Sequence, residues 1–326
     1  MIEFKHVWKK FSPDVVILKD LNLKIDEGET LVILGKSGSG KTTALRLINR
    51  LIDPTEGVIE IGNQNICSLD PIALRRSIGY AVQEIGLFPH MTVEENIAIV
   101  PKLLGWEPKR IDQRIDQLLE MMGLDPATYR KRFPLKLSGG QRQRIGVARA
   151  LAADPPIVLM DEPFGALDPI TREKTQKEFL ELESKIIKTV VFVTHDLFEA
   201  VTLGDRIALM DRGRLIQLAT PKSFVENPPS AFSDAFLGKH RFQLSLLTQT
   251  VSSLLEPSDK IAQRAKSSLT PKTTLLEALS LFREEKVGAL PAFSSHSYCG
   301  QLTKKKLLKR ILDLLTQESK YESTHS

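Results

Sequence analysis

The sequence predicts an α/β domain followed by a smaller α/β region, and three observations carry that prediction. Short apolar runs rich in β-branched residues alternate with helical patterns through residue 218. A glycine-rich stretch, GKSGSGKT at 35–42, stands between one such run and a helix pattern. A second run, IVLMDE at 157–162, ends in two carboxylates.

Taken in order, TLVIL at 30–34, IVLM at 157–160 and TVVFVT at 189–194 read as buried strands, because each is uniformly apolar, short and bounded by polar residues. Residues 110–122 place Ile111, Ile115, Leu118, Leu119 and Met122 on one face at helical spacing, which predicts an amphipathic helix. RIALM and RLIQL, between 206 and 218, flank Asp211, Arg212 and Gly213, a turn signal that predicts an antiparallel hairpin closing the domain. Asn227, Pro228 and Pro229 follow, where regularity weakens, and the main boundary is placed near 238.

The chain has 326 residues, 42% of them apolar and 26% charged, proportions that exclude disorder or a fibrous repeat as an overall description. No apolar run approaches the roughly 18 residues needed to cross a bilayer, and MIEFKHVWKKF lacks a signal-peptide core, so a cytoplasmic location is expected. Cys67 and Cys299, far apart and outside any C-x-x-C pattern, read as ordinary thiols. Charge is uneven. Residues 239–326 hold 14 Lys/Arg against 8 Asp/Glu, whereas residues 1–238 hold 31 against 32. The absence of a basic surplus argues against a main domain held on nucleic acid by phosphate neutralisation.

In the glycine loop, Gly35, Gly38 and Gly40 let successive N–H groups turn inward, and the helix that follows adds the positive end of its dipole. The candidate phosphate-binding residues are Gly35, Lys36, Ser37, Gly38, Ser39, Gly40, Lys41, Thr42 and Thr43. Lys41 would bridge the β and γ phosphates of a nucleoside triphosphate, and Thr42 would offer a hydroxyl to Mg²⁺. Asp161 and Glu162 lie at a strand end, where an open parallel sheet exposes its ligand groups. Asp161 suits Mg²⁺, and Glu162 suits a general base for an attacking water. Alone, two adjacent acids equally describe a strand cap at the surface. Between these motifs, LSGGQ at 137–141 opens another helix, with Ser138 as its N-cap and bare amides at Gly139 and Gly140.

GKSGSGKT, LSGGQ and MDE in this order resemble the ATP-binding subunit of an ABC transporter over residues 1–238. The resemblance implies a P-loop NTPase fold: a RecA-like core sheet with an antiparallel β subdomain and a helical subdomain. It also implies a head-to-tail homodimer in which Ser138, Gly139, Gly140 and Gln141 close on the ATP held by the partner's loop. By the same resemblance, Gln83 in YAVQE senses Mg²⁺ and water, His195 in FVTHD contacts the γ phosphate, Asp168 in ALD belongs to the loop crossing the dimer interface, and Phe11 stacks on adenine. Without the family pattern, Phe11 reads as core and His195 as a structural histidine.

LINRLIDPTEG at 47–57, LRRSIGYAVQEIGLFPHMTVEENI at 74–97, VPKLLGW at 100–106 and MDEPFGALDPITR at 160–172 are similar to the ATPase subunits of bacterial importers for glycine betaine, carnitine and choline. That similarity implies an integral membrane permease, an external substrate-binding protein and a place on the cytoplasmic face of the cell membrane. An importer for an amino acid or a thiol betaine is the alternative. Leu87, Phe88, Pro89 and Met91 are apolar enough to receive a permease coupling helix, or to be core. Glu84 departs from relatives that carry a second glutamine.

After a linker at 239–268, residues 269–316 are similar to a single CBS motif: a helix carrying Leu276, Ala278, Leu279 and Phe282, a strand through VGALPAF, then GQLT. Lys306 stands where nucleotide-binding CBS motifs carry an acid, which argues against adenosine binding. The charge run from Lys304 to Arg310 fits either an anionic membrane surface or a solvated helix face. Residues 317–326 are read as a tail.

Overall fold

The computed structural model describes residues 1–82, 86–165, 167–183, 188–257, 267–295 and 297–325. It divides into two compact units, Met1–Leu218 and Ala219–Ser326.

Among the described residues, the strands up to the end of the first unit are β1 (Ile2–Ser12), β2 (Val15–Ile25), β3 (Thr30–Leu34), β4 (Glu56–Ile61), β5 (Gln64–Asn65), β6 (Ile78–Ala81), β7 (Ile157–Asp161), β8 (Thr189–Thr194), β9 (Arg206–Asp211) and β10 (Arg214–Ala219), the last of which ends one residue past it. Six of them form one sheet in the order β10-β9-β3-β8-β7-β6. The pairs β9–β3, β3–β8, β8–β7 and β7–β6 are parallel. Every residue of β3, β7 and β8 is buried. That is why these strands read as continuous apolar runs rather than alternating ones: a parallel sheet is covered on both faces. The expected hairpin is present as β9 and β10, joined by Arg212 and Gly213.

A second, antiparallel sheet has the order β2-β1-β4-β5. Its inward residues Ile2, Phe4, Leu21, Leu23, Ile25 and Ile59 share one core with Leu45 and Ile48 of the helix Lys41–Ile48 and with Leu31, Leu159 and Val193 of the parallel sheet. The helix after β3 is thus clamped between two sheets, which fixes the loop that precedes it.

The helical portion contains Val93–Leu103, Pro108–Met121 and Gly139–Leu151. The helix Pro108–Met121 buries Ile111, Ile115, Leu118 and Leu119, with Met122 buried just beyond its end, matching the apolar stripe. Arg130 binds Glu94 and Asp116, each at 3.0 Å, and also Asp112, tying two of these helices to its own segment.

In the second unit, the helix Leu275–Glu285 leads into the hairpin β11 (Ala289–Ser294) and β12 (Ser297–Thr303), followed by the helix Lys304–His325. Its own core gathers Leu246, Val251, Leu275, Phe282, Leu290, Leu302 and Leu307. The stretch read as a linker contains a helix over Arg241–Thr248, with Leu244 and Leu246 buried. Position 238 falls inside this unit, because the helix Pro221–Glu226 packs on Arg241–Thr248. Lys306 pairs with Glu256 at 3.0 Å. Both cysteines are exposed, free thiols. Among the described residues, no helix is long and apolar enough to cross a membrane.

Candidate functional site

The parallel register sets the site. Leu34 lies beside Thr194 and Asp161 beside Val193, so the carboxyl ends of β3, β7 and β8 form one edge, with the glycine loop directly above β3. Two of the loop's glycines are required by geometry. A Cβ at Gly35 would lie 2.3 Å from the carbonyl oxygen of Met210, and Gly40 adopts φ +102° as the residue preceding the helix Lys41–Ile48. The β9–β10 turn supports the loop from below, where the N–H of Gly213 donates to the carbonyl of Ser39 at 3.0 Å.

Lys41 is 6% exposed and turns back over its own loop, donating from Nζ to the carbonyls of Gly35 (2.8 Å) and Lys36 (3.1 Å). A cation therefore sits at the centre of the loop. Burial lowers the Lys41 ammonium pKa, and the nearby Glu162 and Asp161 offset part of that. The Ser39 hydroxyl is buried with no hydrogen-bond partner among the described residues, a polar atom left for something the loop would hold.

Thr42 Oγ1 donates to Asp161 Oδ1 at 3.0 Å. Asp161 is 3% exposed, and burial raises its pKa, against the lowering effects of the Thr42 hydrogen bond and the Arg46 charge. A hydroxyl and a carboxylate are hard oxygen donors that fit Mg²⁺. Among the described residues, no three Asp, Glu, His or Cys side chains gather as a metal cage, so a cation here would take its other ligands from phosphates and water.

Glu162 follows Asp161 in a left-handed conformation, φ +43°, held by its N–H donating to the Val193 carbonyl at 2.9 Å. Such a backbone is strained for a non-glycine residue and is kept where surroundings over-determine it. Its Oε2 lies 3.2 Å from Nδ1 of His195, and the His195 side chain is 61% exposed at the mouth of the site.

The structure thus brings the loop, Asp161, Glu162 and His195 together. The other described candidates make contacts of their own. Ser138 caps the helix Gly139–Leu151 by accepting from the N–H of Gln141 (3.3 Å), and Gln141 Oε1 accepts from the N–H of Ser138 (2.9 Å) while its Nε2 donates to Tyr129 (3.0 Å). A Cβ on Gly140 would come 2.5 Å from Thr171, so this helix start packs closely on the segment that Asp168 caps. Among the described residues, no hydrogen bond joins Ser138–Gln141 to residues 35–43. Phe11 is 62% exposed, with Lys9 Nζ 5.0 Å from its ring, so it is not a core residue. Gln83, like Glu84, lies outside the described residues. Leu87 and Met91 are half-buried and Phe88 and Pro89 exposed.

Sequence reasoning missed Arg46, whose charge lowers the Asp161 pKa, and Tyr80, whose phenol lies in the field of the Asp161 carboxylate. The Tyr80 phenol pKa is raised, first by burial and then by Asp161. It also missed Glu199 and Thr194, behind His195. Tyr80 and Thr194 lie within YAVQE and FVTHD, but those stretches do not name the partners that other elements bring to them.

The ABC transporter family model matches residues 18–165. The choline transport ATP-binding protein OpuBA of Bacillus subtilis is 47% identical over 290 residues, covering 89% of this chain and 74% of that protein. The glycine betaine uptake system ATP-binding protein YehX of Escherichia coli is 44% identical over 306 residues, covering 93% and 97%. The carnitine transport ATP-binding protein OpuCA of Listeria monocytogenes is 45% identical over 296 residues, covering 89% and 71%. Among solved structures, the ATP-binding cassette MJ0796, a dimer in a post-hydrolysis state bound to ADP and Pi, superposes with a TM-score of 0.60 at 38% identity, covering 68% of this chain and 98% of that one. The protein cbiO1 of Clostridium perfringens, part of the ABC transporter complex cbiONQ, superposes with a TM-score of 0.64 at 26% identity, covering 74% of this chain and 96% of that one. With the phosphate loop, the paired carboxylates and these relatives in view, the chain belongs to the ABC transporter family, as a transporter ATPase.

Proposed function

We propose that this chain is the ATP-hydrolysing subunit that powers import of a quaternary-amine osmoprotectant, of the glycine betaine, carnitine or choline type, through a membrane permease. The observation that carries the ATPase half is the convergence of Lys41, Thr42, Asp161, Glu162 and His195 on one strand-end edge. The substrate class rests on relatives whose names specify choline, glycine betaine and carnitine transport.

In this reading the amides of residues 35–43 wrap the phosphates and Lys41 leaves its loop carbonyls for the β and γ oxygens. Thr42 and Asp161 would hold Mg²⁺, which supplies charge neutralisation at the terminal phosphates. Glu162 takes a proton from the water that attacks the γ phosphorus, as the bond to the bridging oxygen breaks and ADP departs. His195 reaches the γ phosphate from beside Glu162. By the family resemblance, Gln83 would sense Mg²⁺ and the attacking water.

Among the described residues, Ser138–Gln141 make no hydrogen bond to the loop of their own chain, which supports a second copy supplying them across a homodimer interface. Asp168 then lies in the loop at that interface, and Phe11 is exposed for adenine stacking. The chain would sit peripherally on the cytoplasmic face of the membrane, with a permease subunit and an external binding protein as partners. Residues 1–238 would be the ATPase portion and 269–316 a single CBS-like motif.

The test is to purify tagged Glu162→Gln from native membranes with ATP. Recovery with a permease and a binding protein that takes up betaine or choline supports the reading. Recovery from the soluble fraction with ribosomes or DNA overturns the transport half and leaves the ATP site standing.

A further inference from the structure

Behind the Glu162–His195 pair lies a buried polar knot that the hydrolytic machinery does not account for. Thr194, the last residue of β8, is 1% exposed, and Glu199, on the helix Leu197–Leu203, is 4% exposed. Thr194 Oγ1 donates to Glu199 Oε2 at 2.5 Å. Gln176 Nε2, from the helix Pro169–Glu183, donates to Glu199 Oε1 at 3.0 Å. The N–H of Asp196 donates to Thr194 Oγ1 at 3.0 Å. A hydroxyl has one proton, so Thr194 accepts from Asp196 and must give that proton to Glu199. Asp196 Oδ1 in turn accepts from the N–H groups of Phe198 (2.8 Å) and Glu199 (3.2 Å).

His195 is the residue between Thr194 and Asp196, so both its chain neighbours are pinned by this set. The third arm runs to the helix that begins directly after Asp168. A carboxyl in this position is costly. Burial pushes the Glu199 pKa up, as does the Asp196 charge, while Thr194, Arg172 and Gln176 pull it down. A leucine of similar size would fill the space without that cost, and a local rule broken without evident gain in stability marks a functional constraint.

We propose that Glu199 is a positioning residue that locks the His195 loop to the Asp168 helix, so that contact with the γ phosphate and movement of the interface loop occur as one event. The proposal rests on the reading of His195 as the γ-phosphate contact. Among the described residues, no side-chain hydrogen bond joins Glu199 or Thr194 to residues 35–43, so nucleotide binding should not depend on them.

The experiment uses the full chain and reads kcat and KM for ATP together with Tm. Thr194→Val and Glu199→Met keep volume and remove the hydrogen bond. Each should lower kcat about tenfold, with KM for ATP within about twofold, as expected when a reacting group is loosened rather than a binding group removed. The double variant should lose no more than either single one. Glu199→Gln should recover most of the loss, because its amide oxygen accepts from Thr194 and Gln176 can turn its own oxygen toward the new amide. Should Glu199→Met fail to fold, Thr194→Val carries the test. Wild-type kcat in Thr194→Val, while His195→Ala is inactive, overturns the proposal. Full activity in His195→Ala overturns instead the role given to His195.

Discussion

Nδ1 of His195 lies 3.2 Å from Oε2 of Glu162, although the two residues belong to different strand ends. The contact exists because β7 and β8 run parallel with Asp161 opposite Val193, which leaves Glu162 one step past its strand and His195 two steps past that register. The Glu162 N–H closes the arrangement on the Val193 carbonyl. The imidazole is 61% exposed and the carboxylate 19%, so the ring is the more accessible member of the pair.

Replacing Glu162 by Gln keeps the shape and removes the acceptor for the water proton. Hydrolysis should fall by about 10²-fold or more, while ATP affinity stays near wild type. Phosphate release under single turnover, set beside binding of a fluorescent ATP analogue, separates these effects. Full turnover would remove Glu162 from the role of base.

Lys41→Ala removes the cation from the centre of the loop. A charge-assisted hydrogen bond of about 1.5–3 kcal/mol corresponds to an ATP affinity roughly ten- to a hundredfold weaker. Equilibrium binding without hydrolysis measures this directly, and unchanged affinity would show that the backbone amides suffice.

Gly35→Ala places a methyl 2.3 Å from the Met210 carbonyl and 2.6 Å from Ser39 Oγ. The backbone of β9 cannot yield as a side-chain tip does, so a loss of about 1–3 kcal/mol is expected. Urea unfolding should show a lower midpoint at unchanged slope.

Glu199→Gln should also report on pH. Burial raises the Glu199 pKa in the folded chain, with Asp196 raising it further and Arg172, Thr194 and Gln176 opposing. The folded state then holds the proton more tightly than the unfolded one, so this group's contribution to stability is complete below its unfolded pKa and is lost as pH rises through the folded value. The variant should therefore exceed wild type in Tm at neutral pH, and the gap should close as pH falls into the ordinary carboxylate range. A gap independent of pH would mean that the carboxyl is not desolvated.

Much of the fold was legible because buried parallel strands leave an unambiguous trace. β3 and β8 coincide with the runs at 30–34 and 189–194, and β7 extends the run at 157–160 by Asp161. The antiparallel sheet of β1, β2, β4 and β5 left a weaker trace, since its strands are partly exposed, bulged and interrupted by charged residues such as Lys9, Lys10 and Lys24. The helix Arg241–Thr248 was hidden for a similar reason: a short apolar segment within a stretch read as linker becomes helical because Leu244 and Leu246 find a core to enter.

By itself the sequence determined the chemistry available, since GKSGSGKT, the Asp161–Glu162 pair and LSGGQ are local patterns whose backbone and side-chain demands are met within a few residues. Only the tertiary structure decided which of these groups meet. Strand register joins Thr42 to Asp161 and Glu162 to His195, seats Tyr80 and Arg46 around Asp161, and assembles Thr194, Gln176 and Glu199 into one buried knot. Linear motifs do not encode contacts such as Thr42–Asp161 and Gln176–Glu199, because a hydrogen bond is short and directional and these partners are brought within reach by packing between elements separated in the chain.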